Sequence, residues 1–301
     1  MRWHKRGLLL PAPPAVPWAV SRAALPVVSE LEGETSLLFS SRDAEGRAWI
    51  GRAELDLGDG RASASPRAEP VLTPGALGAF DDSGVTSSCL VHHESRILLY
   101  YTGWSRGVTV PFYLFVGCSV SDDGGKTFTR VSSAPILERN PVDPYLTASP
   151  WVLVEDDLLR MWYVSGTGWR AVEGETRHWY HVKYAESRDG ISWRREGRVC
   201  IDYAAEDEYA FGRPCVVRDG DLYRMWYCVR GSAYRIGYAE SRDGLTWHRK
   251  DDEAGIDLSA QGWDSQMQAY PVVVDQAGAR YLLYNGNNYG ETGIGYAVLA
   301  E

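Results

Sequence analysis

The chain has 301 residues, with 31 Lys or Arg against 40 Asp or Glu, so its formal net charge is −9. This balance argues against a general nucleic-acid binder or a protein of anionic membrane surfaces, because both need a basic face to meet phosphate. No apolar run approaches the roughly 20 residues of a membrane helix. From the charge balance and the apolar runs together, we expect neither a nucleic-acid nor a membrane partner.

Aromatic residues are abundant, with 12 Trp, 18 Tyr and 6 Phe beside 31 Gly and 15 Pro. Aromatic side chains favour strands, whereas Gly and Pro favour turns. No 3.6-residue periodicity lasts long enough to indicate a sizeable helix. The composition therefore predicts an all-β chain.

Two features bear on the cellular compartment. The basic N-terminus and Leu8–Leu10 resemble a signal peptide, but four prolines between 11 and 17 break the apolar region that export needs. The number of cysteines is odd and no CxxC spacing occurs, which argues against a disulfide framework or a zinc site. We therefore expect buried, reduced thiols in a cytoplasmic protein. The cysteines are Cys89, Cys118, Cys200, Cys215 and Cys228.

Five copies of one pattern follow one another along the chain. The clearest two begin at Met161 and Met225, where MWY precedes a YAESRDG segment. Three weaker copies begin at Leu37, Leu98 and Leu282. Each copy spans about 60 residues and contains four short strands separated by turns, as in a β-propeller blade. The repeats predict a five-bladed β-propeller, one domain over residues 1–301.

The last copy stops after three strands, and its fourth strand is found at the other end of the chain. WHKRG at Trp3–Gly7 matches WRREG at Trp193–Gly197. We therefore predict that residues 3–10 complete the last blade and close the ring, which protects strand edges. Another aligned position pairs a hydrophobic residue with glycine in the third strand. The pairs are Ile50-Gly51, Val116-Gly117, Ile236-Gly237 and Ile294-Gly295, with Val182-Lys183 in the third copy.

Three turns carry Asp-box-like sequences, at Ser121–Phe128, Ser187–Trp193 and Ser241–Trp247. In such a turn Asp and Ser bind the local backbone, Gly supplies positive φ and the aromatic residue packs between sheets. We interpret Asp123, Asp189 and Asp243 as structural residues.

A second alignment concerns the first strand of each copy, where a small or Pro-containing dipeptide precedes an apolar run. The dipeptides are Leu25-Pro26, Ser88-Cys89, Ser149-Pro150, Arg213-Pro214 and Tyr270-Pro271. Seven residues before their second members stand Ala19, Asp82, Asp143, Asp207 and Asp264. Since first strands line a propeller's channel, we predict that these aspartates converge at one mouth, opposite the Asp-box turns.

The loops between second and third strands should share that mouth, and they are rich in residues that suit sugars. Aromatic faces stack on pyranose rings, while Asn, Arg and Asp bind hydroxyl groups. We predict a substrate-binding set around the mouth. It comprises Arg22, Asp81, Trp104, Arg106, Tyr113, Trp169, His178, Arg213, Asp264 and Asn287.

The sequence resembles the five-bladed propeller glycosidases: arabinanases and xylosidases, invertases and levansucrases, and mannoside phosphorylases. It looks closest to a poorly characterised branch, whose members tend to accompany bacterial polysaccharide genes. The segments that carry this resemblance are FDDSG (80–84), GVTVP (107–111), DPY (143–145), RPC (213–215) and WDSQM (263–267).

The resemblance implies three acids on successive blades: a base or nucleophile, an orienting Asp and a Glu acid. The second position maps to Asp82, but the third holds Asp143 in place of Glu and the first holds Ala19. These departures count against ordinary hydrolysis by the clan's mechanism.

Two functions stay open. One is a glycosidase-like enzyme acting on a sugar or glycan, with Asp143 paired to Asp82, Asp207 or Glu208 as catalytic carboxyls, since hydrolysis needs two carboxyl groups flanking the bond. The other is a non-catalytic sugar-binding or scaffold propeller, which Ala19 favours. We expect a small-molecule or glycan ligand and no cofactor, and no spacing is diagnostic of a metal site.

Overall fold

The computed structural model describes residues 1–58 and 62–300, which form twenty β-strands and two short helical turns, so the expected all-β class is confirmed. The first ten strands are β1 (Trp3–Leu10), β2 (Ser21–Leu31), β3 (Glu34–Arg42), β4 (Ala48–Asp56), β5 (Ser63–Pro66), β6 (Gly84–His93), β7 (Arg96–Arg106), β8 (Phe112–Ser121), β9 (Thr129–Arg130) and β10 (Thr147–Glu155). The others are β11 (Leu158–Val172), β12 (Glu175–Ser187), β13 (Arg194–Ile201), β14 (Ala210–Asp219), β15 (Leu222–Arg230), β16 (Tyr234–Ser241), β17 (His248–Arg249), β18 (Ala269–Gln276), β19 (Ala279–Asn285) and β20 (Ile294–Leu299). The helical turns are Asp251–Glu253 and Asn287–Gly290.

Antiparallel pairing collects the strands into five groups of four. The groups are β2–β5, β6–β9, β10–β13, β14–β17, and β18–β20 with β1. Strand β1 lies antiparallel to β20, with Trp3 opposite Leu299 and Leu10 opposite Ile294, where the sequence match placed it. Single parallel bridges join the first two groups and the next two, so the strands form three sheets.

The hydrophobic core is divided among the gaps between neighbouring groups. Val27 and Leu38 of the first group share a cluster with Leu99 of the second. Similar clusters lie between the second and third, third and fourth, and fourth and fifth groups. A further cluster joins Leu283 of the fifth group to Phe39 of the first. Because each group buries both faces, its strands have only partial alternation of apolar and polar residues.

The aligned hydrophobic–glycine pair has a packing reason. Tyr101 of β7 lies opposite Gly117 of β8, and a Cβ on Gly117 would stand 2.3 Å from the ring Cζ. Tyr227 lies in the same way over Gly237, where an added Cβ would be 2.7 Å from Cε2. The aromatic ring lies flat on the neighbouring strand, so that strand needs a residue without a side chain at this position.

The aligned dipeptides of the first strands are β-bulges. The pairing register shifts at this point in all five groups. Four of the residues that begin these dipeptides adopt positive φ, between 46° and 58°. They are Leu25, Ser149, Arg213 and Tyr270. The bulge kinks each strand near its beginning, which re-aims the side chains there.

The Asp-box-like turns are closed by their own side chains. Asp123 accepts hydrogen bonds from the backbone N–H groups of Lys126 and Thr127, both at 3.0 Å. Hydrogen bonds from Thr127 and Ser121 hold the pKa of Asp123 far below its usual value.

All five cysteines are buried with free thiols, as expected. Within 1–58 and 62–300, no helix has the length and apolarity that crossing a bilayer requires.

Replacing Trp3 by alanine tests the contribution of β1 to stability. The Trp3 ring is buried, meets Trp226 edge-on at 6.2 Å and donates from Nε1 to the Ala254 carbonyl at 3.0 Å. We expect Trp3→Ala to lower the free energy of unfolding by about 3–5 kcal/mol. The exposed neighbour His4 supplies the control, because His4→Ala should have little effect. Urea denaturation measures both, and an unchanged midpoint for Trp3→Ala would contradict a structural role for this strand.

Candidate functional site

A cavity of about 400 Å³ opens where the beginnings of the first strands meet the ends of the second strands. Arg22 of β2 and Ser149 of β10 line it from the first-strand side, and Arg42 and Trp104 line it from the ends of β3 and β7. The Asp-box-like turns follow the far ends of β8, β12 and β16. The cavity and these turns therefore lie at opposite ends of the strand groups, as the sequence predicts.

Four arginines line the cavity, and no aspartate or glutamate is among the described residues that line it. Arg22 pairs with Glu291 at 2.9 Å and donates to the Asn288 carbonyl. Arg42 has no carboxylate within 4 Å in the described part of the chain, and its guanidinium lies 5.6 Å from the Trp104 ring centroid. Burial, and then the nearby charge of Arg22, lower the pKa of Arg42.

Arg213 is fully buried at the base of the cavity. It donates to the carbonyls of Pro26 in β2 and Ser87 in β6, so it connects three strand groups. Its Nε has no hydrogen-bond partner among the described residues, and no carboxylate lies within 4 Å of it there. Burial lowers the pKa of Arg213 to about 10, which leaves the guanidinium charged at neutral pH.

Aromatic rings also line the cavity. His178 stacks on Tyr180 with ring centroids 4.8 Å apart and an interplanar angle of 4°, and Phe112 meets His178 edge-on at 5.4 Å. The hydroxyl groups of Tyr180 and Tyr234 are hydrogen-bonded to each other. Burial, followed by the charges of Arg230 and Arg177, lowers the pKa of His178 to about 4. His178 is therefore neutral at pH 7.

Asp143, the carboxylate expected at the centre of catalysis, lies in a buried network of ion pairs and hydrogen bonds. Asp143 is completely buried and lies 3.2 Å from Lys183 Nζ and 3.0 Å from Arg195 Nη1. It also accepts hydrogen bonds from Tyr163 at 2.9 Å and Ser165 at 2.7 Å. Two cations and two hydroxyl donors therefore surround this carboxylate, which is bound within its own strand group and does not line the cavity.

The same network recurs in three other groups. In each, a second-strand tyrosine donates to an aspartate that also contacts a cation of the fourth strand. The sets are Tyr101–Asp81–Arg130, Tyr227–Asp251–Arg249 and Tyr284–Asp264–Lys5. Burial pushes the pKa of Asp264 upward, but the contacts with Lys5 and its other donors outweigh it and hold that pKa below its usual value. In the first group Phe39 replaces the tyrosine.

The other predicted catalytic residues also lie away from the cavity. Asp82 accepts hydrogen bonds from Gly78 N and Ser83 Oγ, and Asp207 is exposed in the loop before β14. Glu208 contacts Arg249 through both carboxylate oxygens, which lowers the pKa of Glu208. The structure does not bring the four predicted carboxyls together around the cavity.

Of the predicted substrate-binding residues, four line the cavity: Arg22, Trp104, His178 and Arg213. Asp81 and Asp264 belong to the buried networks. The remaining four lie behind or beside the walls. Arg106 donates to the Glu45 carbonyl, Tyr113 lies under Arg139, Trp169 packs on Phe112, and Asn287 accepts from the backbone of Gln266 and Met267.

Arg42 is a cavity residue that sequence reasoning missed, although the repeats contain a signal for it. Arg42 stands three residues after Phe39, just as Trp104 stands three after Tyr101 and Arg230 three after Tyr227. Reading the repeats at this register would have placed all three residues at the cavity.

No family model matches the chain. Two uncharacterized Mycobacterium tuberculosis proteins are similar to it over 300 residues and 99% of each chain: MT1551 of strain CDC 1551 / Oshkosh, 44% identical, and Rv1502 of strain ATCC 25618 / H37Rv, 43% identical. The chain belongs to the family of these mycobacterial proteins.

Solved structures show the fold. A BT0996 RGII complex matches with a TM-score of 0.78 at 20% identity, covering 99% of this protein and 92% of the other. A glycoside hydrolase matches with a TM-score of 0.75 at 18% identity over the same shares, and a thermostable family-43 glycoside hydrolase with 0.70 at 14%, over 96% and 90%. The fold is that of the propeller glycoside hydrolases, which confirms the resemblance seen in the sequence.

Asp143→Asn should destabilise the fold, because it removes a buried charge, leaves Lys183 without a carboxylate partner and leaves Arg195 with Glu138 alone. Breaking a buried ion pair in this way typically costs about 3–5 kcal/mol. The free energy of unfolding, measured in urea, checks this. Asp82→Asn is the matched control, since Asp82 makes no ion pair within 4 Å among the described residues. Full stability of Asp143→Asn would contradict the structural assignment.

The low pKa of His178 predicts how stability depends on pH. Below its ordinary value of 6.5 the unfolded chain binds a proton that the folded protein does not bind until about pH 4. The stability associated with His178 is therefore complete above pH 6.5 and lost as the pH falls toward 4. The His178→Phe variant lacks this dependence. As the pH falls from 6.5 toward 4, we expect the free energy of unfolding of the wild type to decrease relative to that of the variant. A constant difference between the two proteins would contradict the prediction.

Proposed function

We propose that the five strand groups are the blades of a five-bladed propeller closed by β1, and that its cavity binds a negatively charged sugar. Five hydrophobic clusters, each between successive groups and the last between the fifth and the first, support the ring. In such a ring the first strands surround the axis, and the cavity lies at one end of it.

The observation that carries the proposal is the excess of positive charge in the cavity. Arg42, Arg213 and Arg230 have no carboxylate within 4 Å in the described chain, and only Arg22 is paired. Buried charges are costly unless they are paired and hydrogen-bonded. A phosphate or carboxylate in the cavity would supply the missing partner, and guanidinium groups bind both through paired N–H donors.

The walls support a sugar as the carrier of that negative charge. The lining combines apolar rings with hydroxyl groups of Thr86, Thr102 and Ser149, which suits a ligand with both apolar faces and hydroxyls. The relation to the propeller glycoside hydrolases agrees with this, and one of those neighbours is named as an RGII complex.

Hydrolysis is the second candidate, favoured by the fold. It requires two carboxyl groups flanking the scissile bond. The described residues that line the cavity supply none, and the predicted carboxyls are held in networks or lie elsewhere. We therefore infer that the protein binds its sugar without cleaving it by a carboxyl pair. Release of reducing ends from a bound glycan would overturn this inference.

Isothermal titration calorimetry can test the ligand class. We expect galacturonate or glucose 6-phosphate to bind at least about tenfold more tightly than the neutral sugars galactose and glucose, since a charge-assisted contact is worth about that factor. Arg42→Gln and Arg230→Gln should each weaken the anion's binding by about tenfold.

Arg242→Gln is the matched control for this experiment. Arg242 is exposed on an Asp-box-like turn at the far end of the strands, so its loss should leave affinity unchanged. Equal affinity for neutral and anionic sugars, or equal losses in all three variants, would refute the proposed site.

A further inference from the structure

The β11–β12 hairpin is longer than its counterparts, with strands of 15 and 13 residues. Its outer half continues beyond His178, which lines the cavity, to a turn at Glu173 and Gly174. This extension carries two arginines, Arg170 and Arg177, and it adds surface next to the cavity that other groups lack.

Arginines and aromatic rings form a continuous run from this extension into the cavity. The guanidinium of Arg170 lies 4.6 Å from the Trp179 ring centroid, and the Trp179 and Tyr209 rings are 5.7 Å apart. Tyr209 is flanked by Arg177 and Arg230, each at 5.2 Å. Since Arg230 lines the cavity, these five residues connect it to the hairpin. We call them the arginine–aromatic strip.

The three arginines of the strip have no carboxylate within 4 Å among the described residues, although elsewhere on the chain ion pairs are common. The chain has 40 acidic residues against 31 basic ones, so acids are not scarce. A guanidinium that stacks on a ring uses its flat face, and its N–H donors at the edge stay available for an anion. The strip therefore repeats outside the cavity the charge imbalance found within it.

We propose that the arginine–aromatic strip is a second anionic subsite, and that the ligand is an oligosaccharide carrying negative charge on successive sugar units. This inference rests on the proposed function and extends it: one charged unit occupies the cavity and the following units lie along the strip toward Arg170. The half-buried Trp179 ring suits the apolar face of an intervening sugar, whereas the buried Tyr209 ring lies between Arg177 and Arg230.

Calorimetry with galacturonate and tetragalacturonate tests the strip. We expect the tetramer to bind at least about tenfold more tightly, as expected from one added charge-assisted contact. Arg170→Gln and Arg177→Gln should each lower the ratio of tetramer to monomer affinity, whereas Arg42→Gln should weaken both ligands alike. The exposed Arg188, on an Asp-box-like turn, gives the control Arg188→Gln, which should leave the ratio unchanged. Melting temperatures establish that each variant is folded.

The outcomes separate the two proposals. If galacturonate binds and the tetramer binds no better, or if glucose 6-phosphate alone binds, the strip is refuted while the cavity proposal stands. If no anionic sugar binds, both fall. Interleaved arginines and aromatic rings also suit single-stranded nucleic acid. A short oligothymidylate that binds as tightly as tetragalacturonate would therefore overturn the oligosaccharide in favour of nucleic acid.

Discussion

Arg213 is the side chain on which the centre of the molecule depends. It starts from a bulge in β14 and donates to carbonyl groups of β2 and β6, so one guanidinium braces the first strands of three groups. A buried cation is costly without an acid, and here carbonyl dipoles stabilise it only in part. Arg213 also lines the cavity, as do Arg42 and Arg230, none of which has a carboxylate within 4 Å among the described residues. The anionic ligand that we propose would therefore act next to the same residue that holds the three groups together.

The repeats made most of the architecture predictable from sequence. The all-β class, the pairing of Trp3–Leu10 with the last strand and the opposition of the Asp-box-like turns to the cavity were all readable from aligned residues. These features depend on local turn chemistry and strand order, which repetition displays five times. The site was harder to predict, because a shared register shows which end of a strand a residue occupies but not whether it points into the cavity or between sheets.

Asp143 illustrates this limit. Its register beside the first strand is correct, but its side chain contacts Tyr163 and Arg195 of its own strand group and does not line the cavity. The tyrosine–aspartate–cation networks link the second and fourth strands of a group around a buried charge, and the glycine opposite most of these tyrosines leaves room for the ring. An aspartate that recurs through a propeller can therefore indicate a network that links strands as readily as it indicates a catalytic site. In the first group Phe39 and Trp18 stack in place of the network, which shows that apolar packing can substitute for it.

The pairing of β1 with β20 also constrains the order in which the protein can be completed during synthesis. Strand β1 leaves the ribosome before β2–β19, whereas its partner β20 is made after them. Until then Leu9 and Leu10 lack the Ile294 and Tyr296 side chains of their cluster, and a strand with an unpaired edge and uncovered leucines is open to wrong associations. Contacts between such distant segments form slowly because the intervening chain must be ordered first. The middle strand groups must therefore fold early, and β1 keeps an unpaired edge until β20 has been synthesised.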